Sequence, residues 1–182
     1  MFMSDLTRPA AALLIAVACV TAYAAEGPNL GKPIDPADIA AWDTSVMPDG
    51  RGLPPGAGTA AQGAAIYAQK CAACHGEGGK GGPGPVPSWP LLPKGPISSI
   101  NAAEKTIGNF WPYSTTLFDY IRRGMPWQQP KSLTSDEVYA LTAYLLVLNK
   151  VIGEGDVMSA ESLPRVQMPN RNGFIFRFPE KM

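Results

Sequence analysis

Hydrophobic positions recur at helical spacing in three parts of the chain. The first runs from Thr59 to Ala73, where Thr59 is placed to cap an alanine-rich helix and Ile66, Tyr67 and Lys70 follow at helical intervals. Gly63 lies inside it. A helix-interior glycine costs about 1 kcal/mol relative to alanine, which points either to a close helix contact or to tolerated local strain. The second helix, Thr115–Arg123, takes Ser114 or Thr115 as its cap and Gly124 as its stop. The third and strongest covers Ser135–Asn149. Thr134 and Glu137 form a capping box, and Val138, Leu141, Leu145 and Leu148 make one apolar stripe. Tyr144 flanks that stripe, placed to meet Gly63 or Tyr67. No stretch alternates convincingly as a strand does, so the pattern predicts an all-α fold.

The segments between these helices are rich in turn formers. The 182 residues include 19 Gly and 19 Pro, concentrated in residues 27–36, 48–58 and 76–96. So much loop leaves a small helical core, and a large apolar cofactor is one way to complete it. The N-terminus carries a different pattern. Arg8 precedes an apolar run from Ala10 to Val20, and Ala22-Tyr23-Ala24 fits a peptidase site, so residues 1–24 read as an export signal directing the chain to the periplasm. The run is short for a membrane span. Cys19 lies within it, and removal of the signal discards it; the alternative for Cys19 is lipid attachment. The predicted organisation is a signal at 1–24, an N-terminal extension at 25–58, a helical domain at 59–150 and a C-terminal extension at 151–182. Formal net charge is zero, which gives no reason to expect nucleic acid or an anionic membrane surface as partner.

Candidate chemistry is concentrated in Cys71-Ala72-Ala73-Cys74-His75. A disulfide across this spacing closes too small a loop to aid folding and leaves His75 without a role. A thioredoxin-type pair needs a preceding strand and a βαβ frame, whereas the preceding segment is helical. Zinc needs four ligands. With three Cys and one His in the whole chain, carboxylates would have to complete the set. Covalent haem attachment is the remaining reading of C-x-x-C-H. Two thiols at this spacing reach the two vinyl groups of one haem c, and the adjacent imidazole becomes the proximal iron ligand. His75 is the only histidine, so bis-histidine ligation is excluded.

The sixth ligand is then sought among the methionines of the exported chain: Met47, Met125, Met158, Met168 and Met182. Met125 is favoured by position, after a helix stop and before Pro126 in the loop between the last two helices; Met168 is the rival. A carbonyl near Pro83 or Pro85 is placed to accept from His75 Nδ1. Trp111 and Tyr113 are candidates to hydrogen-bond a haem propionate, with plain pocket packing as the alternative. Arg122 and Arg123 are either propionate or docking cations or a solvated helix end. Trp89 and Trp127 either shield haem edges or fill core. The aromatic–polar alternation of Phe174-Ile175-Phe176-Arg177-Phe178 leaves open a tail that wraps the domain and one that meets a partner.

From Gly63 to Leu148 the chain resembles monohaem class I cytochromes c. The stretch from Asn109-Phe110-Trp111-Pro112-Tyr113 to Arg122-Arg123-Gly124-Met125-Pro126 resembles, more specifically, the haem domain of the cytochrome subunit of Sox-type sulfane dehydrogenase. Leu133–Asn149, Met168-Pro169-Asn170-Arg171-Asn172-Gly173-Phe174 and Gly52-Leu53-Pro54-Pro55-Gly56 continue the likeness. The resemblance implies a class I cytochrome c fold around one haem, with Met125 as axial ligand. It also implies electrons received from a molybdenum-containing sulfite or sulfane dehydrogenase subunit; the electron-transfer reading itself expects a downstream cytochrome or terminal oxidase as acceptor. That family's cytochrome carries two haems, whereas this chain has a single C-x-x-C-H. The expected function is therefore one-electron transfer by an electron carrier that is not itself the enzyme. The alternatives are a haem enzyme acting on a sulfur compound or peroxide, and a carrier for an unrelated periplasmic dehydrogenase.

Overall fold

A computed structural model describes residues 30–82, 90–93, 95 and 104–175. The proposed signal with Cys19, Pro83, Pro85, Trp89, Phe176, Phe178 and Met182 lie outside the described residues. The chain divides into two compact units, Met1–Asp43 and Thr44–Met182. In the first, helix α1 (Pro36–Trp42) begins with proline in its first turn, and the Asp35 carboxylate accepts from Ala37 N at 2.9 Å.

The second unit is built around three helices: α2 (Ala60–Lys70), α5 (Ser114–Gly124) and α6 (Ser135–Leu148). Two single-turn helices, α3 (Ala72–His75) and α4 (Ile107–Phe110), two 3₁₀ turns, Glu77–Gly79 and Leu163–Arg165, and two short strands, β1 (Ala57–Thr59) and β2 (Val157–Ser159), complete its regular structure among the described residues. Reciprocal capping starts α2 and α6 where the sequence pattern places them. Thr59 N donates to Gln62 Oε1 at 2.9 Å while Gln62 N donates to Thr59 Oγ1 at 3.3 Å. The corresponding Thr134 and Glu137 bonds are 2.8 and 3.2 Å.

Helix α6 is the central element. Val138–Ala143, Leu145 and Leu146 are all buried, so it is covered on nearly every side rather than along one stripe. Helix α2 crosses it at Gly63. A methyl group at Gly63 would lie 1.9 Å from Ala140 O and 2.7 Å from Tyr144 Cβ, so only glycine permits this approach. One turn on, the Tyr67 and Tyr144 rings meet with centroids 5.2 Å apart. The contact expected of Gly63 and Tyr144 is present, and of the two readings of Gly63 the close approach holds. Helix α5 packs on another side of α6, with the rings of Phe118 and Tyr139 4.5 Å apart.

Two features differ from the sequence reading, and a third bears on an alternative it left open. The fold is not purely helical: β1 and β2 pair antiparallel, with Gly58 opposite Met158. Three-residue strands are too short to show alternation. Ser114 does not cap α5 from outside. It is the first helical residue, and its hydroxyl donates to Leu163 O at 2.6 Å; Thr115 is buried within the helix. The described part of the tail wraps the unit rather than standing off it. Met158, Leu163 and Met168 are buried in the core, and the Asn170 amide donates to Phe110 O at 2.6 Å. The upstream loop is held likewise, by Tyr139 Oη donating to Pro54 O at 2.9 Å.

Candidate functional site

Helix α2 leaves helical geometry at Cys71 (φ −124°, ψ −37°), and the chain then makes one further turn, α3. Within it Cys74 N and His75 N both donate to Cys71 O, at 3.1 and 2.9 Å. Residues three and four apart share a helical face, so Cys71, Cys74 and His75 are presented together. The turn is then stapled. Gly76 takes a left-handed φ of +74°, and a Cβ there would meet Gly81 O at 2.1 Å. Gly81 N donates to His75 O at 2.9 Å, and Tyr67 Oη reaches across from α2 to donate to Gly76 O at 2.9 Å. Burial drives the Tyr67 hydroxyl above its ordinary range, which keeps it a donor.

This turn forms part of the lining of a cavity of about 450 Å³. Helix α5 contributes Leu117, Tyr120 and Ile121, α6 contributes Leu141 and Leu145, and α4 contributes Ile107. Cys71, Cys74, His75, Trp111 and Met125 all line it, so five of the six candidate residues come together. Tyr113 does not line it. Its ring lies beneath the Arg171 guanidinium at 4.2 Å, so the proposed propionate role has no geometric support. Trp111 is held edge-on against Tyr120, with ring centroids 5.6 Å apart.

The methionines separate cleanly. Met125 follows α5, its N–H bonded to Ile121 O at 3.0 Å, and its side chain lines the cavity. The rival Met168 is only 2% exposed and belongs to the packed core away from the cavity lining; Met158 is buried in β2 and Met47 is exposed. Trp127 lines the cavity while remaining 71% exposed, so it is a rim residue and not core filling. Neither Arg122 nor Arg123 lines the cavity. Arg123 pairs instead with Asp119 on its own helix. The sequence reading missed Lys70 and Lys105, both of which line the cavity. Lys70 adjoins the cysteine motif and was open to recognition on that ground; nothing in the local pattern marks Lys105.

The rival chemistries of the motif fit less well. Both cysteines are free. Burial pushes the Cys71 thiol up to about 11, with neighbouring Cys74 adding and Lys70 opposing, which is the reverse of a reactive redox thiolate. Among the described residues no group of three or more His, Cys, Asp and Glu side chains is arranged to hold a metal ion. By contrast, an apolar cavity lined by two thiols, an imidazole and a thioether suits haem iron and its two vinyl groups.

Comparison with known proteins agrees. Residues 58–145 match the family model described as cytochrome c oxidase, cbb3-type, subunit III. No curated protein sequence matches the chain. Among solved structures, the chain is similar to a chain of the sulfane dehydrogenase SoxCD from Paracoccus pantotrophus. The two are 42% identical, with a TM-score of 0.71, over 81% of this chain and 71% of that one. The chain therefore belongs to the cytochrome c family, as an electron-transfer cytochrome related to the SoxCD sulfane dehydrogenase and with haem c as the cofactor its family implies.

Proposed function

We propose that this chain is a periplasmic monohaem cytochrome that receives single electrons from a molybdenum-dependent sulfite- or sulfur-compound-oxidising dehydrogenase. It passes them to a downstream cytochrome or terminal oxidase. The observation that carries the reading is the convergence of Cys71, Cys74, His75 and Met125 on one apolar cavity. Cys71 and Cys74 would hold the haem through two thioethers, each S–H adding across one vinyl group. His75 and Met125 would ligate its iron. Bound haem supplies a one-electron iron couple, and histidine–methionine ligation sets a relatively high potential.

The protein's own residues do the rest. Tyr67 and Gly81 hold the turn that carries His75. Leu117, Ile121, Leu141 and Leu145 give the cavity an apolar wall that would shield a bound haem from water. With both His75 and Met125 as ligands no position at iron would be left for a substrate, which favours a carrier over a sulfur- or peroxide-processing enzyme. Residues 1–24 direct export, and the haem domain at 59–150 is completed by the segments on either side of it.

The likeness to SoxCD supports a sulfur-compound dehydrogenase as electron donor. The purified mature chain is expected to weigh the signal-cleaved polypeptide plus one haem; a mass with none, or two, refutes the site. A molybdenum enzyme oxidising sulfite or sulfane sulfur is expected to reduce the holoprotein rapidly in stopped flow. If the haem stays oxidised with that enzyme, yet an unrelated dehydrogenase reduces it, the sulfur assignment fails and the carrier function remains.

A further inference from the structure

The charged side chains around the cavity are distributed unevenly. Among the described residues that line it there are two lysines, Lys70 and Lys105, and no Asp or Glu. Haem is an apolar body with two carboxylates, and a carboxylate placed against a cavity wall without a partner is strongly unfavourable. The two lysines are not equivalent. Lys70 Nζ lies 2.7 Å from Glu137 Oε1, so its charge is already matched within the protein. Lys105 has no carboxylate at ion-pair distance among the described residues.

Lys105 is nevertheless held in place. Its ammonium sits over the Phe110 ring, 5.6 Å from the centroid, which steadies the charge without cancelling it. The next residue, Thr106, is buried and lines the cavity. Its N–H and its hydroxyl both donate to Asn109 Oδ1, at 2.7 and 3.0 Å, fixing the backbone from which Lys105 projects. We propose that Lys105 is the counter-charge for a haem carboxylate and that its positive charge raises the reduction potential of the site. The inference rests on the haem reading above. By offsetting the negative charge of that carboxylate, which would otherwise stabilise the oxidised iron, the exposed ammonium favours the form with one positive charge fewer at iron, the reduced form.

The test uses the full-length holoprotein and its midpoint potential, with haem content checked by mass. Lys105→Met keeps an unbranched side chain beside Phe110 and removes the charge. At a fixed electrode potential it is expected to raise the ratio of oxidised to reduced protein about fivefold to tenfold. Lys105→Gln must reproduce the rise, and Lys105→Arg must stay within about twofold of wild type. Lys150→Met, at an exposed lysine outside the cavity lining, is the control for net charge and is expected to leave the ratio unchanged. Haem-loaded Lys105→Met and Lys105→Gln proteins with wild-type potential overturn the proposal, as does Lys105→Arg falling as far as Lys105→Met. Absence of haem from the wild-type protein defeats the underlying reading and this inference with it. Haem present with an unmoved potential defeats the inference alone.

Discussion

Replacing Gly63 by alanine sets two effects of opposite sign against each other. Alanine is the better helix former by about 1 kcal/mol, so an exposed site in α2 would gain stability. Gly63 is not exposed: the added methyl lands 1.9 Å from Ala140 O and 2.5 Å from Ala140 C, both backbone atoms of α6. No side-chain rotation relieves a clash with backbone. The two helices must move apart by roughly 1 Å or more, loosening the Tyr67–Tyr144 contact and the cavity wall formed by Leu141 and Leu145. Overpacking of this kind costs about 1–3 kcal/mol, occasionally more. Because the obstacle is rigid we take the upper end, about 3 kcal/mol, for a net loss of about 2 kcal/mol. In a domain of this size each kcal/mol moves Tm by roughly 4 °C, so Gly63→Ala is expected to lower Tm by about 8 °C. Thermal unfolding of the haem-loaded protein, followed by far-ultraviolet circular dichroism, measures it. A Gly63→Ala protein as stable as wild type, or more so, would refute the close-contact argument.

The remaining predictions concern the site and one ion pair. Met125→Ala is expected to keep its haem but lose the methionine–iron charge-transfer band, lower the potential and admit external ligands. Met168→Ala should leave that spectrum intact while costing about 2–4 kcal/mol of stability in urea titration, because Met168 is buried in the core. Cys71→Ser and Cys74→Ser each leave one thioether at most, and should give markedly less haem-bearing protein by mass. The Lys70 ammonium, and secondly the Thr134 N–H, hold the Glu137 carboxyl below its ordinary value of 4.5. The stability it adds is therefore complete above pH 4.5 and disappears as pH falls through the lowered folded value. Glu137→Gln should remove that part of the acid dependence. The pair is partly exposed, so the loss near neutrality is about 0.5 kcal/mol or less, read from urea midpoints across pH.

The features legible in the sequence were those written locally. The Thr59–Gln62 and Thr134–Glu137 caps depend on residues three apart, and Cys71, Cys74 and His75 fall on one face by helical geometry alone. Met125 was reachable because a helix stop and a proline mark its loop. What escaped depends on partners distant along the chain. Ser114 looks like a cap until Leu163 O arrives to take its hydroxyl. Gly58 and Met158 become strand residues only by pairing with each other. Tyr113 sits in the same local stretch as Trp111, yet Arg171 claims its ring. Lys105 gains meaning only from Phe110 beside it and from a cavity whose walls come from several separate segments.

The pairing of β1 with β2 also bears on how such a domain travels between proteins. Ala57 lies opposite Ser159 and Thr59 opposite Val157, so the chain passes into and out of the helical region at neighbouring points. Neighbouring ends allow a folded unit to be spliced into a host loop without stretching either connection. The two-stranded ladder, three residue pairs long, acts as a clasp, closing residues 60–156 into a loop that begins and ends in one place. A segment organised in this way joins its neighbours at a single place, and any transfer of it to another chain must carry the buried Met158, Leu163 and Met168 along with it.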